Sequence, residues 1–111
     1  MQTHPDFSRF NIAAVIPAYR VENELEAVIC GLPAYLRHII IVDDASPDAT
    51  SALVQRLAER DGRISLLVHP ANQGVGGAMV TGFRRALELG ADLVVKIDGD
   101  GQMDPALLPA L

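Results

Sequence analysis

The chain has little that would hold it together covalently or anchor it elsewhere. It carries one cysteine, no tryptophan and one lysine in 111 residues. A lone Cys30 can form neither an internal disulfide nor a zinc cluster, which fits a reducing compartment. Apolar runs reach about five residues, far below the roughly 20 that span a bilayer. The first ten residues carry Pro5, Asp6 and Arg9 and no apolar stretch, so they do not read as a signal peptide. Acids outnumber bases, 14 Asp+Glu to 9 Lys+Arg, for a formal charge of −5. That balance argues against nucleic acid as a partner and against an anionic lipid surface as a primary one. No block of like charges marks an interaction tail. What remains is 50% hydrophobic, too apolar for intrinsic disorder, and the length suits one small domain. A cytoplasmic globular unit is expected.

Four apolar runs recur at Ile12–Ile16, Ile39–Val42, Ile64–Val68 and Leu93–Ile97. They are unbroken rather than alternating, the pattern of strands covered on both faces. Their starts lie about 25 to 30 residues apart, enough for a crossover helix between each pair. Ser46-Pro47-Asp48 reads as the start of the second helix, with Ala49, Leu53, Leu57 and Ala58 on its apolar face. Val75, Met79, Phe83 and Leu87 form an i, i+4 ladder in the third, expected to face the core. Gly90 is its expected stop. Gly31 and Pro33 cut the first helix short, leaving 34–38 as a loop. The expected fold is α/β, Rossmann-like, with a mostly parallel sheet and helices on both faces. Residues 1–11 read as an N-terminal extension and 12–111 as the domain. Asp104-Pro105 resembles another helix start close to the chain's last residue, so the domain reads as incomplete and its last strand as an exposed edge that invites self-association.

In open parallel sheets, ligands bind beyond the carboxyl ends of the strands. The polar and glycine-rich residues collect there: Pro17, Tyr19, Arg20 and Glu22 after the first strand, Asp43, Asp44 and Ser46 after the second. Asn72, Gln73, Gly74, Gly76 and Gly77 follow the third, Asp98, Asp100 and Gln102 the fourth. Asp98-Gly99-Asp100 is the sharpest feature. Two carboxylates separated by a glycine can turn their oxygens to one point, and hard cations such as Mg²⁺ or Mn²⁺ take such ligands together with substrate phosphates. An acidic turn with glycines in left-handed positions is the alternative. Of Asp43-Asp44, one carboxylate is expected to cap the following loop and the other to serve a site. Gly74-Val-Gly-Gly77 either offers backbone N–H groups to a phosphate or lets the third helix pack tightly. It matches neither the dinucleotide fingerprint nor a P-loop. His4, His38 and His69 lack metal-ligand spacing and read as solvated or loop residues. Cys30 reads as core. No Gly-x-Ser-x-Gly supports acyl transfer.

Taken together, four stretches carry a resemblance: VIPAYRVENEL (15–25), IIIVDDASPDAT (39–50), HPANQGVGGAMVTGF (69–83) and VVKIDGDGQMDP (94–105). In this order they resemble the N-terminal, nucleotide-binding half of glycosyltransferase family 2 enzymes of GT-A fold, nearest the bacterial relatives of dolichol-phosphate mannosyltransferase. The resemblance implies that Pro17, Ala18, Tyr19 and Glu22 shape a nucleoside pocket and that Asp44 contacts the base, with Gly74 and Gly99 beside the donor. It implies that Asp98 and Asp100 are a metal-binding D-x-D joined by Gln102. Arg20 stands where the family commonly has asparagine. The implied reaction is inverting, metal-dependent transfer of a sugar from a UDP- or GDP-sugar to a polyprenyl phosphate or a glycan, at the cytoplasmic face of the membrane if the acceptor is lipid. The acceptor surface and any general base would lie beyond Leu111, so the 111 residues alone are expected to bind but not to turn over.

Three other readings fit less well. IVDDAS is similar to the acidic pair of receiver-type signalling domains, but there the acids follow the first strand, and here the only lysine lies inside a strand. A Rossmann dehydrogenase would need a glycine fingerprint that is missing. A non-catalytic nucleotide-binding module would keep the pocket without the chemistry.

Overall fold

The computed structural model describes residues 9–101. Gln102, Asp104, Pro105 and His4 lie outside them. Four parallel strands form one sheet: β1 (Ile12–Ala18), β2 (His38–Asp43), β3 (Ile64–Val68) and β4 (Leu93–Lys96), in the order β3-β2-β1-β4. Helices α1 (Leu25–Cys30), α2 (Thr50–Arg60) and α3 (Gly74–Glu88) connect them. The expected fold class and strand positions hold.

The period of two along each strand divides the core. Ile12, Ala14, Ile16, Ile39 and Ile41 face α1 and α2 with Leu25, Ile29, Leu53 and Val54. Ala13, Val15, Ile40 and Val42 face α3. Both faces are covered, which is why the runs show no alternation. Successive strands step from β1 to β2 to β3, and the chain then crosses back along α3 to place β4 on the far side of β1. The order therefore reverses between β1 and β4, and a crevice opens beyond their carboxyl ends.

Helix α3 corrects the sequence expectation. Its buried residues are Ala78, Gly82 and Ala86, whereas Val75, Phe83 and Leu87 of the ladder are exposed and Met79 is half-buried. The reason is distance. A Cβ on Gly82 would sit 2.3 Å from Val15 Cγ1, so the helix lies too close to the sheet for anything larger. Helix α2 starts later than expected, at Thr50. Cys30 ends α1 on the exposed side, because the buried face of so short a helix is filled by Leu25, Val28 and Ile29.

At the opposite edge of the sheet, Arg63 pairs with Asp61 at 2.9 Å and donates to Pro33 O and Leu36 O at 3.2 and 3.1 Å. The Arg63 hydrogen bond holds the Asp61 carboxyl below its usual range. This cluster pins the loop entering β2 to the start of β3, away from the crevice. Among the described residues, no helix is long and apolar enough to cross a membrane.

Candidate active site at the carboxyl edge of the sheet

The crevice is a cleft of about 370 Å³. Pro17, Tyr19, Arg20 and Glu24 form its β1 side; Lys96, Asp98, Gly99 and Asp100 form its β4 side, and Val75 borders it from α3. The D-x-D thus faces the loop that leaves β1. A smaller recess of about 50 Å³ adjoins, lined by Pro17, Ala18, Tyr19, Asp44, Val75 and Ala78. Of the residues singled out from sequence, Pro17, Tyr19, Asp98, Gly99 and Asp100 meet in the cleft, and Ala18 and Asp44 in the recess. Glu22 is exposed and lines neither. Gly99 is buried, its Cβ position 3.4 Å from Ile16 Cγ2 and from Pro17 O, so the turn after β4 presses on the end of β1.

The β1 wall is held in place by the loop after β2. Arg20 and Ala45 both adopt left-handed backbone, φ 56° and 60°. Such strain persists only where surrounding contacts enforce it. They do so here: Arg20 N donates to Ser46 Oγ at 2.9 Å, Val21 N to Thr50 Oγ1 at 3.3 Å and Glu22 N to Asp48 Oδ2 at 3.4 Å. Asp48 also accepts from Thr50 N at 3.1 Å and from the Ser46 hydroxyl. It satisfies an orphan amide of α2 from two residues ahead of the helix. Burial pushes the Asp48 carboxyl up, but the hydrogen bonds from Ser46, Thr50 and Glu22 outweigh it and hold it at about 2.

A depressed carboxyl stabilises the fold above its unfolded value, near 4, and loses that contribution as pH falls through the folded value. Asp48→Ala is therefore expected to lose about 1–2 kcal/mol at pH 7 and little at pH 2. Urea unfolding at the two pH values measures it; an equal loss at both would contradict the assignment.

Asp43 takes the expected loop-capping role, and Asp44 does structural work that the sequence reading did not include. Asp43 accepts from Ser46 N at 2.8 Å and from the Ser51 hydroxyl, tying the loop to α2. Asp44 is 4% exposed, and its carboxylate accepts from Gln73 N and Gly74 N, both at 2.8 Å, capping α3 from another strand. Its Oδ1 also takes the Nδ1–H of His69 at 2.8 Å, the tautomer an ionised carboxylate requires. His69 Nε2 lies 2.8 Å from Thr81 Oγ1. Burial raises the Asp44 carboxyl, and the hydrogen bonds from His69, Gln73 and Gly74 bring it below its usual value.

Two sequence readings change here. His69 lies in the loop after β3 but is buried and fully engaged rather than solvated; its partners lie 25 and 12 residues away, so no local pattern marks it. In the glycine run, Gly74 needs its φ of 81° and its N–H is taken by Asp44, while neither it nor Gly76 approaches the sheet. Tight helix packing belongs to Gly82 instead.

The oxygen donors of Asp98 and Asp100 suit a hard cation. Asp98 is about one-third exposed and faces Lys96 Nζ at 3.5 Å, and Asp100 is exposed. Among the described residues, no three His, Cys, Asp or Glu side chains cluster to hold a metal. A cation here would need further oxygens, which substrate phosphates and water commonly give to Mg²⁺ and similar ions.

Known proteins are similar to this chain in sequence and in fold. Residues 13–111 match glycosyl transferase family 2. Two curated relatives are each 37% identical. The UDP-N-acetylglucosamine–dolichyl-phosphate N-acetylglucosaminyltransferase of Methanococcus voltae aligns over 85% of this chain and 43% of its own length. The undecaprenyl-phosphate mannosyltransferase of Micrococcus luteus aligns over 90% and 42%. The chain thus spans about two-fifths of the relatives it matches. A solved mannosyltransferase from Pyrobaculum calidifontis, in complex with GDP-Man and Mn²⁺, superposes with a TM-score of 0.68 and 26% identity over 82% of this chain and 28% of that one. With a parallel sheet, a cleft at the strand-order reversal and a sequence match over almost its whole length, the chain belongs to glycosyltransferase family 2 and has the α/β architecture of a GT-A fold.

Proposed function

We propose that this chain is the donor-binding half of an inverting, metal-dependent transferase that moves a sugar from a nucleotide-diphosphate sugar to a polyprenyl phosphate. The observation that carries this reading is the meeting of Asp98 and Asp100 with the Pro17–Arg20 loop in one cleft. The relatives named for undecaprenyl- or dolichyl-phosphate transfer, and the GDP-Man and Mn²⁺ of the solved neighbour, support it.

Asp98 and Asp100, with Gln102 beside them in sequence, would hold Mg²⁺ or Mn²⁺. Such an ion neutralises the charge that develops on a departing diphosphate. The chain's own residues do the rest. Tyr19 and Pro17 offer apolar surface for a nucleoside, and Asp44, fixed by three N–H donors, offers a rigid carboxylate edge to the recess beside them. A polyprenyl phosphate already carries an ionised oxygen that can attack the anomeric carbon as the bond to the diphosphate breaks, so the reaction does not demand a strong base in this half. Work at the cytoplasmic face of a membrane, and self-association through the edge of β4, belong to the same proposal.

Calorimetric titration of GDP and UDP into the purified chain, with and without Mn²⁺, tests it. The expected result is binding of one of the two in the micromolar to millimolar range that depends on Mn²⁺. A folded chain that binds neither nucleotide with metal present would overturn the reading.

A further inference from the structure

Lys96 is the chain's only lysine, and it ends the otherwise aliphatic strand β4. Lys96 is the last residue of β4 and Asp98 follows two residues on in the loop, and both line the same side of the cleft. Their 3.5 Å pair is loose, with 45% and 37% of the side chains exposed. Exposed pairs of this kind add little to stability, so holding the fold together is a poor account of it. Three carboxylates, Glu24, Asp98 and Asp100, border the cleft against two cations, Arg20 and Lys96. The Arg20 guanidinium stacks over the Tyr19 ring, 5.4 Å from its centroid. Lys96 is the cation paired with Asp98.

Resting on the donor-site reading, we propose that Lys96 is a specificity-determining residue for the donor's diphosphate. Its ammonium exchanges the Asp98 oxygen for a phosphate oxygen when the nucleotide enters. A lysine suits this role, being a compact point charge on a long, adaptable stem. The contact distinguishes a diphosphate from a monophosphate, which leaves the wall beside Asp98 unfilled.

The test is titration of nucleoside mono- and diphosphates, with Mn²⁺ present, into the wild-type chain and into Lys96→Gln, Lys96→Arg and Arg84→Gln. Arg84 is exposed on α3 and controls for the loss of one positive charge. Circular dichroism checks that each variant is folded. Lys96→Gln is expected to weaken the diphosphate about tenfold and the monophosphate by less than about threefold. Lys96→Arg should retain most of the affinity and Arg84→Gln all of it. Equal diphosphate affinity in Lys96→Gln and wild type, or equal losses for both nucleotides, overturns the inference while leaving the donor site standing. A wild type that binds no nucleotide overturns both.

Discussion

Gly82→Leu is expected to leave the chain unfolded, and Gly82→Ala to cost about 1–2 kcal/mol. Even a single methyl at this position would lie 2.3 Å from Val15 Cγ1 and 3.2 Å from Cγ2. Val15 is fully buried in the central strand and β-branched, so it cannot rotate aside cheaply. Overpacking of this kind costs about 1–3 kcal/mol, against which alanine regains up to about 1 kcal/mol of helix propensity. A leucine would have to lift α3 off β1 and β2. The control lies in the same helix: Gly76 has nothing within 4 Å of its Cβ position, and Gly76→Ala is expected to be neutral or to stabilise by up to about 1 kcal/mol. Thermal and urea unfolding measure all three, and a stabilised Gly82→Ala would contradict the close approach of helix and sheet.

Asp44→Ala is expected to cost about 3 kcal/mol and to loosen the start of α3. The substitution removes the acceptor of three N–H donors, one of them on a buried imidazole. A donor stranded without a partner costs about 1–3 kcal/mol where buried, and less at Gln73 and Gly74, which water can reach. The Asp44 carboxyl lies below its usual range, so its contribution is full above about pH 4 and fades as pH falls through the folded value. The difference between wild type and Asp44→Ala should therefore shrink in acid. Urea unfolding at neutral and acid pH, with amide exchange at Gln73 and Gly74, reads both effects. A pH-independent difference, or unchanged exchange, would remove Asp44 from the capping role.

These two positions also show what the sequence could and could not convey. The four strands were legible because a strand covered on both faces leaves an unbroken apolar run. Asp98 and Asp100 could be placed at the carboxyl edge because they directly follow the last such run. Helix α3 misled because hydrophobic periodicity weights bulk, and the surface against the sheet is made of Ala78, Gly82 and Ala86, which carry almost none. The His69–Asp44 contact was hidden for another reason. It joins the ends of two strands to a helix start, and such contacts exist only once the sheet has assembled. Asp48 was visible as a helix-start acid, but its reach to Glu22 N joins two loops that meet only through the left-handed turns at Arg20 and Ala45.

The central claim is that the carboxyl edge of the sheet binds a nucleotide diphosphate through a cation held by Asp98 and Asp100. The most direct test is the nucleotide titration carried out on Asp98→Asn/Asp100→Asn beside the wild type, with Mn²⁺ varied. Both residues lie at the rim, so the variant should fold as the wild type does. The expected result is Mn²⁺-dependent binding in the wild type and a loss of at least about tenfold in the variant, with the remaining affinity indifferent to Mn²⁺. Undiminished, Mn²⁺-dependent binding by the variant would place the cation elsewhere and contradict the account.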